Sequence, residues 1–330
     1  MQNSLWHTVS KPIIALAPMA DVTDAAYRHL IAKYSKPSGP DVMYTEFVSA
    51  DGLYHTREIQ KMADEKNPLM KDLIFSEVER PIVAQFFTAK PEMMEYVADL
   101  AREFGFDGVD INMGCPDRSI EKQGAGACLI KNPALAKELI EAAKRGAGHL
   151  PVSVKTRIGY NKDELDAWLP ALLEAKPAAV IVHARTRKEM SKVPACWDAI
   201  ARAVAIRDEA KSKTFILGNG DVMSIVNAKE KAKETGADGV MIGRGIFGTP
   251  WLFSNDPSYT DVSIYERLEI LLEHTKLFEK LLPHKSFSIM KKHYKAYVHG
   301  FDGAKELREK LMNTANAVEV ENIVRSATVG

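Results

Sequence analysis

Eight short apolar runs, rich in Val and Ile, punctuate the chain up to Gly243, and each is followed by a stretch of helical periodicity. The runs are Ile13–Ala17, Val42–Phe47, Pro81–Phe86, Gly108–Asn112, Pro151–Lys155, Ala179–His183, Thr214–Gly218 and Gly239–Gly243. They lack strict alternation, which suits strands buried on both faces of a parallel sheet. The stretches between them read as helices. Pro91–Phe104 puts Met94, Val97, Ala98 and Ala101 on one stripe, and Pro133–Arg145 does the same with Leu135, Leu139, Ala142 and Ala143. Ser224–Thr235 runs into Gly236, a helix stop.

Eight β–α alternations in about 250 residues predict a (β/α)8 TIM barrel. A doubly wound open sheet is the competing arrangement, but no turn carries the G-x-G-x-x-G dinucleotide fingerprint. After Trp251 the strand signal stops. Helices are expected over Ser263–Leu282, Lys285–His299 and Gly303–Thr314, with a last one ending near Ser326. The chain thus divides into a catalytic barrel, residues 1–255, and a small C-terminal helical-bundle domain, residues 256–330. Asp64–Ser76 is the longest polar excursion before the third strand and is expected on the surface.

Composition narrows the function classes. The 330 residues carry 44 Lys+Arg against 44 Asp+Glu, so a uniformly basic nucleic-acid binder is excluded while a local basic patch is not. The longest apolar run, Pro12–Ala20, falls well short of the ~18 residues of a membrane span. The N-terminus shows no basic-then-apolar export signal. Cys115, Cys128 and Cys196 form no C-x-x-C pair, which suggests neither a disulfide framework nor a zinc site. A reducing, cytoplasmic setting is expected, with no metal and no obligate protein partner.

A barrel places its chemistry at the C-terminal ends of its strands. Nearly every strand here delivers a polar or special residue at that end: Pro18-Met19-Ala20, Glu46, Gln85, Asn112 to Pro116, Lys155 and Arg157, His183 and Arg185, Gly218 to Asp221, and Gly243-Arg244-Gly245. The glycine loops after strands 7 and 8 stand where many barrels bind phosphate, with Arg244 as a charge partner. They could also be tight turns that need positive φ. Lys155 reads either as a snorkelling lysine or as a cation for a ring oxygen or developing anion. His183, on the next strand, is structural or helps at the same site. Gln85 is an amide in a buried strand and needs partners. Cys115 follows a buried strand in a Gly-Cys-Pro loop. A thiol of ordinary pKa, roughly 8.5, stays protonated at neutral pH and can donate a proton. Cys128 and Cys196 read as buried small hydrophobes.

Taken together, these motifs resemble the tRNA-dihydrouridine synthases, flavin enzymes that reduce specific uridines in tRNA. The resemblance runs from about Ala17 to Trp251 and more weakly to about Met312. It rests on Ala17-Pro18-Met19-Ala20, Thr45-Glu46, Gln85-Phe86, Asp110-Ile111-Asn112-Met113-Gly114-Cys115-Pro116 and Gly124-Ala125-Gly126-Ala127 with Leu129. It continues through Val154-Lys155-Thr156-Arg157, His183-Ala184-Arg185-Thr186, Gly218-Asn219-Gly220-Asp221 and Gly243-Arg244-Gly245.

The resemblance implies a tightly bound FMN across the barrel mouth, with NADPH as transient reductant. Pro18, Met19 and Ala20 would line the flavin. Gln85 and Lys155 would hydrogen-bond its ring edge, and His183 would help hold it. Asn219, Gly220, Asp221, Gly243 and Arg244 would hold the ribityl-phosphate end. Asn112 would orient the uracil, Arg185 joins it in binding substrate, and Cys115 would be the general acid. The helical tail would recruit tRNA. Its segment Lys285–Lys295 holds four lysines and no acid, and Lys291, Lys292 and Lys295 are the expected phosphate contacts, although any such charge run is also a solvated helix face. The loop Asp117-Arg118-Ser119 places an acid where a tRNA-facing loop would more often be basic. Two other readings compete. One is a dihydroorotate-dehydrogenase-like FMN oxidoreductase acting on a free pyrimidine. The other is a non-catalytic RNA-binding barrel, which leaves Cys115, Gln85, Lys155 and His183 without a role.

Overall fold

A computed structural model of the chain describes residues 5–328. Residues 1–4 and 329–330, at the outer ends of the two expected domains, lie outside the described residues. All eight runs form strands: β1 Ile13–Leu16, β2 Met43–Ser49, β3 Ile82–Phe87, β4 Gly108–Met113, β5 Val152–Arg157, β6 Ala179–His183, β7 Phe215–Asn219 and β8 Gly239–Ile242. They pair in parallel in the order β1-β8-β7-β6-β5-β4-β3-β2. A bridge between Ala15 and Val42 joins the two ends of this sheet. There the Leu16 N–H donates to Val42 O at 3.0 Å and the Asp41 N–H to Ile14 O at 2.8 Å. The fold is the expected TIM barrel, not an open doubly wound sheet.

Successive strand residues point to opposite faces, and here both faces are apolar at first. Ile14, Leu16, Val109, Ile111, Val180, Val182, Val240 and Ile242 face the surrounding helices. Ile13, Ala15, Val42, Tyr44, Val83, Ile181, Leu217 and Met241 fill the interior. That double burial is why the runs show no alternation. Leu5 and Trp6, on the short helix Leu5–Thr8, belong to the interior cluster and close the end where the strands begin. Further along the same inward positions the chemistry changes to Gln85, Asp110, Asn112, Ser153, Lys155, His183 and Asn219. The barrel is thus a dry plug at one end and a polar mouth at the other.

Two details refine the glycine reading. Gly218 is the fourth residue of β7, not a loop residue, and a Cβ there would lie 2.4 Å from the Trp197 ring. Its smallness serves helix packing. Gly220, one residue beyond the strand, does lie at positive φ (136°), and Asp221 follows at 55°. Met94, Val97, Ala98 and Ala101 are buried as expected, as are Leu139, Ala142 and Ala143, while Leu135 is only half-buried, and Gly236 ends its helix in the left-handed conformation.

The structure also corrects parts of the expectation. Asp64–Ser76 is not simply a surface excursion. It contains the helix Pro68–Lys71, capped by a fully buried Asn67 whose Nδ2 donates to Thr56 Oγ1 at 2.8 Å, and Met70 and Leu73 enter the core. Cys196 is exposed, at the N-cap of the helix Trp197–Glu209, and Cys128 is only half-buried.

After the barrel come the helices Ile264–Leu281, Lys291–Tyr297, Ala304–Leu311 and Ala317–Thr328. The single helix expected over Lys285–His299 is instead a 3-10 turn, Phe287–Met290, followed by the shorter α-helix. Ser286 Oγ caps that turn, and such local side-chain bonds compete with α-helix propagation. The helical segment leans on the barrel helix Ala25–Ser35. Tyr27 stacks on His274 with centroids 4.7 Å apart and meets His293 edge-on at 4.9 Å. The Tyr34 hydroxyl donates to Glu273 at 2.8 Å.

Candidate active site

The polar mouth forms a cavity that opens to solvent. Its wall gathers residues from seven of the eight strand ends and from Phe47 on β2. Pro18, Met19, Gln85, Lys155, His183, Asn219, Gly220, Asp221, Gly243 and Arg244 line it, as do Asn112, Cys115 and Arg185. Ala20 does not: it lies exposed beyond the rim. Lys291, Lys292 and Lys295 also lie outside the cavity.

One side of the cavity is cationic. Lys155, Arg157, Arg185 and Arg244 line it with a single carboxylate, Asp221, which pairs with Arg185 and Arg244. Arg185 is nearly buried. Its Nε donates to Val193 O at 2.6 Å, its Nη1 lies 3.1 Å from His183 Nε2, and its Nη2 pairs with Asp221. Arg244, more than half exposed, donates to the other Asp221 oxygen at 2.6 Å. Hydrogen bonding from Arg185 holds the Asp221 carboxyl below its usual range. Lys155 Nζ donates to Asn219 Oδ1 at 3.2 Å, and Asn219 Nδ2 donates to Met241 O at 2.8 Å. Burial, with Arg157 as a second cause, lowers Lys155 to about 8. Burial and then Lys155 lower His183 to about 2, so its ring is neutral and accepts from Arg185. A wall with an excess of cations and glycine-loop backbone suits an anionic ligand such as a phosphate.

The opposite side is built from amides and a thiol. Gln85 Nε2 donates to Asp110 at 2.6 Å, and Asn112 Nδ2 donates to Gln85 Oε1 at 3.1 Å. Asn112 Oδ1 accepts from the backbone N–H of Gly114 at 3.1 Å and of Cys115 at 2.9 Å. Arg157 Nε donates to Gly114 O at 2.7 Å, and the Ala127 N–H donates to Cys115 O at 2.9 Å. The loop that carries the thiol is therefore fixed from several directions. Burial pushes the Cys115 thiol up from its ordinary pKa, outweighing the nearby Arg157 and Lys155. At neutral pH the group is therefore a thiol, not a thiolate.

The sequence reading assigned no site role to Phe47, Arg157, Ser191, Val222 or Met223, all of which line the cavity. Arg157 was within reach, since it sits two residues beyond Lys155 on the same inward face of β5. Phe47 was not, because a register shift between Tyr44 and Phe47 changes which residues of β2 face inward. Ser191 comes from a loop with no local signal. Among the described residues no group of three His, Cys, Asp or Glu side chains could hold a metal ion, and no helix is long and apolar enough to cross a membrane.

Fold and cavity together define a TIM barrel whose mouth is a cation-rich pocket beside a half-buried cysteine. Among solved structures the fold is similar to histamine dehydrogenase from Rhizobium sp. 4-9, with TM-score 0.53 and 13% identity, covering 81% of this chain and 49% of that one. It is also similar to morphinone reductase in complex with tetrahydroNAD, with TM-score 0.50 and 14% identity over 75% and 89% of the two chains. Sequence likeness is closer. The chain is 39% identical to a probable tRNA-dihydrouridine synthase of Staphylococcus epidermidis over 98% of its own length and 96% of that protein's. The same figures hold for probable tRNA-dihydrouridine synthase 2 of Bacillus subtilis. A family model described as dihydrouridine synthase (Dus) matches residues 15–329, and with these relatives it makes the chain a member of the dihydrouridine synthase family.

Proposed function

We propose that the protein reduces specific uridines in tRNA to 5,6-dihydrouridine, using FMN held in the barrel mouth and NADPH as its reductant. The observation that carries this reading is the pairing, in one cavity, of a cationic wall with a thiol that burial keeps protonated. The residues present fit FMN. Gly220, Gly243, Asn219 and Arg244 would hold its phosphate end, with Asp221 fixing Arg185 and Arg244 in place. Lys155 and Gln85 would meet the ring edge, His183 would help hold the cofactor, and Pro18 and Met19 would line it.

When bound and reduced, FMN supplies a hydride from N5 to C6 of the uracil. Hydride arrival at C6 leaves enolate charge between the C4 oxygen and C5. Cys115 then gives its proton to C5, and the thiol proton is afterwards restored from solvent. Asn112 orients the uracil from the Cys115 side, and Arg185, held by Val193, His183 and Asp221, would meet the substrate from the cationic side. General-acid help of this kind is worth ~10²–10⁴-fold. Residues 1–255 form the catalytic barrel in this reading, and residues 256–330 recruit tRNA, with Lys291, Lys292 and Lys295 toward its phosphates. The reaction belongs in the cytoplasm, with no metal and no obligate protein partner.

The test is mass-spectrometric mapping of dihydrouridine in tRNA from cells with and without this gene. Loss of dihydrouridine at one or more positions, restored by re-expression, is the expected result. An unchanged map would remove tRNA as the substrate.

A further inference from the structure

A chain of side-chain hydrogen bonds runs from the barrel interior to the backbone of the catalytic loop, and its two ends have fixed polarity. At the inner end lies Asp110 on β4, fully buried. Its Oδ1 accepts from Ser153 Oγ at 2.5 Å and its Oδ2 from Gln85 Nε2 at 2.6 Å. An ionised carboxylate only accepts. At the outer end are the N–H groups of Gly114 and Cys115, which only donate. Two amides, Gln85 and Asn112, stand between. Asp110 makes Gln85 turn its nitrogen inward, which leaves its oxygen for Asn112. Asn112 must then present its nitrogen to Gln85 and its oxygen to the loop. The same orientations follow when the chain is traced from the loop inward, so every link is satisfied in one direction only.

We propose that Asp110 is a positioning residue for Cys115, acting through Gln85 and Asn112 to set the orientation of the amide that anchors the Cys115 loop. The inference rests on the reading of Cys115 as proton donor, but its test does not. A buried amide turned the wrong way puts a donor against a donor, and each such unpaired group is costly. Asp110 prevents that inversion at a distance from the thiol, behind the cavity wall.

The polarity argument makes a suppressor prediction. In Asn112→Asp the new carboxylate satisfies the loop N–H groups but sets acceptors on both sides of Gln85, and one of them faces the Gln85 oxygen. The anchor is weakened, most strongly when Asp110 is ionised. In the double variant Asp110→Asn/Asn112→Asp the carboxylate has moved to the other end. Gln85 can then flip. The new amide at position 110 donates to Gln85 Oε1, and Gln85 Nε2 donates to the new carboxylate at position 112, which still accepts from the loop. Every bond returns. Asp110→Asn alone is expected to be mild, because Ser153 Oγ can turn to accept from the new amide and donate to Val109 O, 3.4 Å away.

The measurement is alkylation of Cys115 by iodoacetamide in the purified protein without tRNA, with Cys128 and Cys196 as internal references, alongside hydrogen exchange of the Gly114 and Cys115 amides. Asn112→Asp should raise both rates about tenfold at pH 8, the scale of one lost buried hydrogen bond. The double variant should return them to within about twofold of the unaltered protein. If Asn112→Asp does not fold, recovery of folded protein in the double variant reports the same suppression. A double variant no better than Asn112→Asp, or an Asn112→Asp loop as protected as the original, overturns the proposal. Neither readout depends on whether the thiol donates a proton, so failure here leaves the function reading standing, and failure of that reading leaves this one.

Discussion

The two walls of the cavity solve different electrostatic problems with different residue types. The side formed by β5 to β8 carries Lys155, Arg185 and Arg244 and one acid, Asp221, which pairs with both arginines. The side formed by β3 and β4 presents only neutral groups to the cavity, and its one charge, Asp110, sits behind Gln85. A cationic wall binds an anion but would also draw the proton off a neighbouring thiol. The neutral wall resists this. Cys115 stays protonated because burial outweighs the pull of Arg157 and Lys155. In the proposed function, anion binding and proton donation can share one cavity because most of the cations gather on one side, and burial of the thiol on the other outweighs the cations that reach it.

The comparison predicts separable losses. The largest belongs to the neutral wall. Cys115→Ala should keep its flavin and its reduction by NADPH, and lose ~10²-fold or more in reoxidation by tRNA. Stopped-flow measurement of the two half-reactions separates these effects. A normal rate of tRNA-dependent reoxidation would assign the proton to another group. Cys196→Ala, at an exposed helix start, should match the unaltered protein in both phases.

The next effect belongs to the cationic wall. Lys155→Ala with Arg244→Ala should lower flavin affinity about tenfold to a hundredfold, the scale of losing charge-assisted hydrogen bonds. The thiol side should be untouched, so alkylation of Cys115 in the flavin-free protein should not change. Flavin content equal to that of the unaltered protein would move the flavin site away from these two residues.

A pH series sharpens the same contrast. Lys155 loses its proton at about 8 because its surroundings disfavour the cation. A hydrogen-bond acceptor at the flavin ring edge favours the cation, so binding raises that pKa and takes up a proton above pH 8. Flavin affinity should therefore fall as pH rises from about 7 to 9, by up to roughly tenfold per unit beyond the free-state pKa. Lys155→Met should flatten that decline. Fluorescence titration of released flavin at several pH values reads it, and a slope retained in Lys155→Met would point to a different group.

Much of the molecule was legible because two apolar faces on each strand leave a strong signal. Ala179–His183 is a strand with the same limits in sequence and structure, and most of the special residues at the strand ends line one cavity, although Ala20 and Glu46 do not. What stayed hidden depends on side-chain partners across long sequence distances. Asp110 reads in sequence as one residue of a motif, yet its burial against Ser153 and Gln85 is visible only once β3, β4 and β5 are adjacent. Arg185 is expected from the sequence to bind substrate, but in the structure its guanidinium is bonded to Val193, His183 and Asp221. The lysine-rich tail segment reads as uniform, whereas tertiary packing divides it. Lys285 turns into the barrel to pair with Glu46 at 2.6 Å and Asp72 at 3.1 Å, and Lys292 reaches Asp21 at 2.9 Å.

That division gives the smallest predicted effect. On the helix Lys291–Tyr297, His293, Tyr294 and Tyr297 turn inward, while Lys292 and Lys295 are exposed and Lys291 is half-buried. Lys292 already has a carboxylate partner at the barrel rim, and an exposed pair of that kind contributes little, about 0–1 kcal/mol. Lys291 and Lys295 make no ion pair among the described residues, so their charge is available to an approaching polyanion. Each phosphate contact contributes roughly one unit to the slope of log affinity against log salt. Lys291→Glu/Lys295→Glu should therefore weaken tRNA binding and flatten that slope by about two. Lys292→Glu should change the slope by less, because it removes a charge already balanced by Asp21. Flavin absorbance and its reduction by NADPH should stay the same in all three proteins, since those belong to the barrel. Binding isotherms at four salt concentrations decide it. Equal slopes throughout would move the tRNA footprint off this helix and onto the loops around Arg118 and Lys122. Arg187 is a weaker candidate there, since both its Nε and Nη2 are engaged by Glu121.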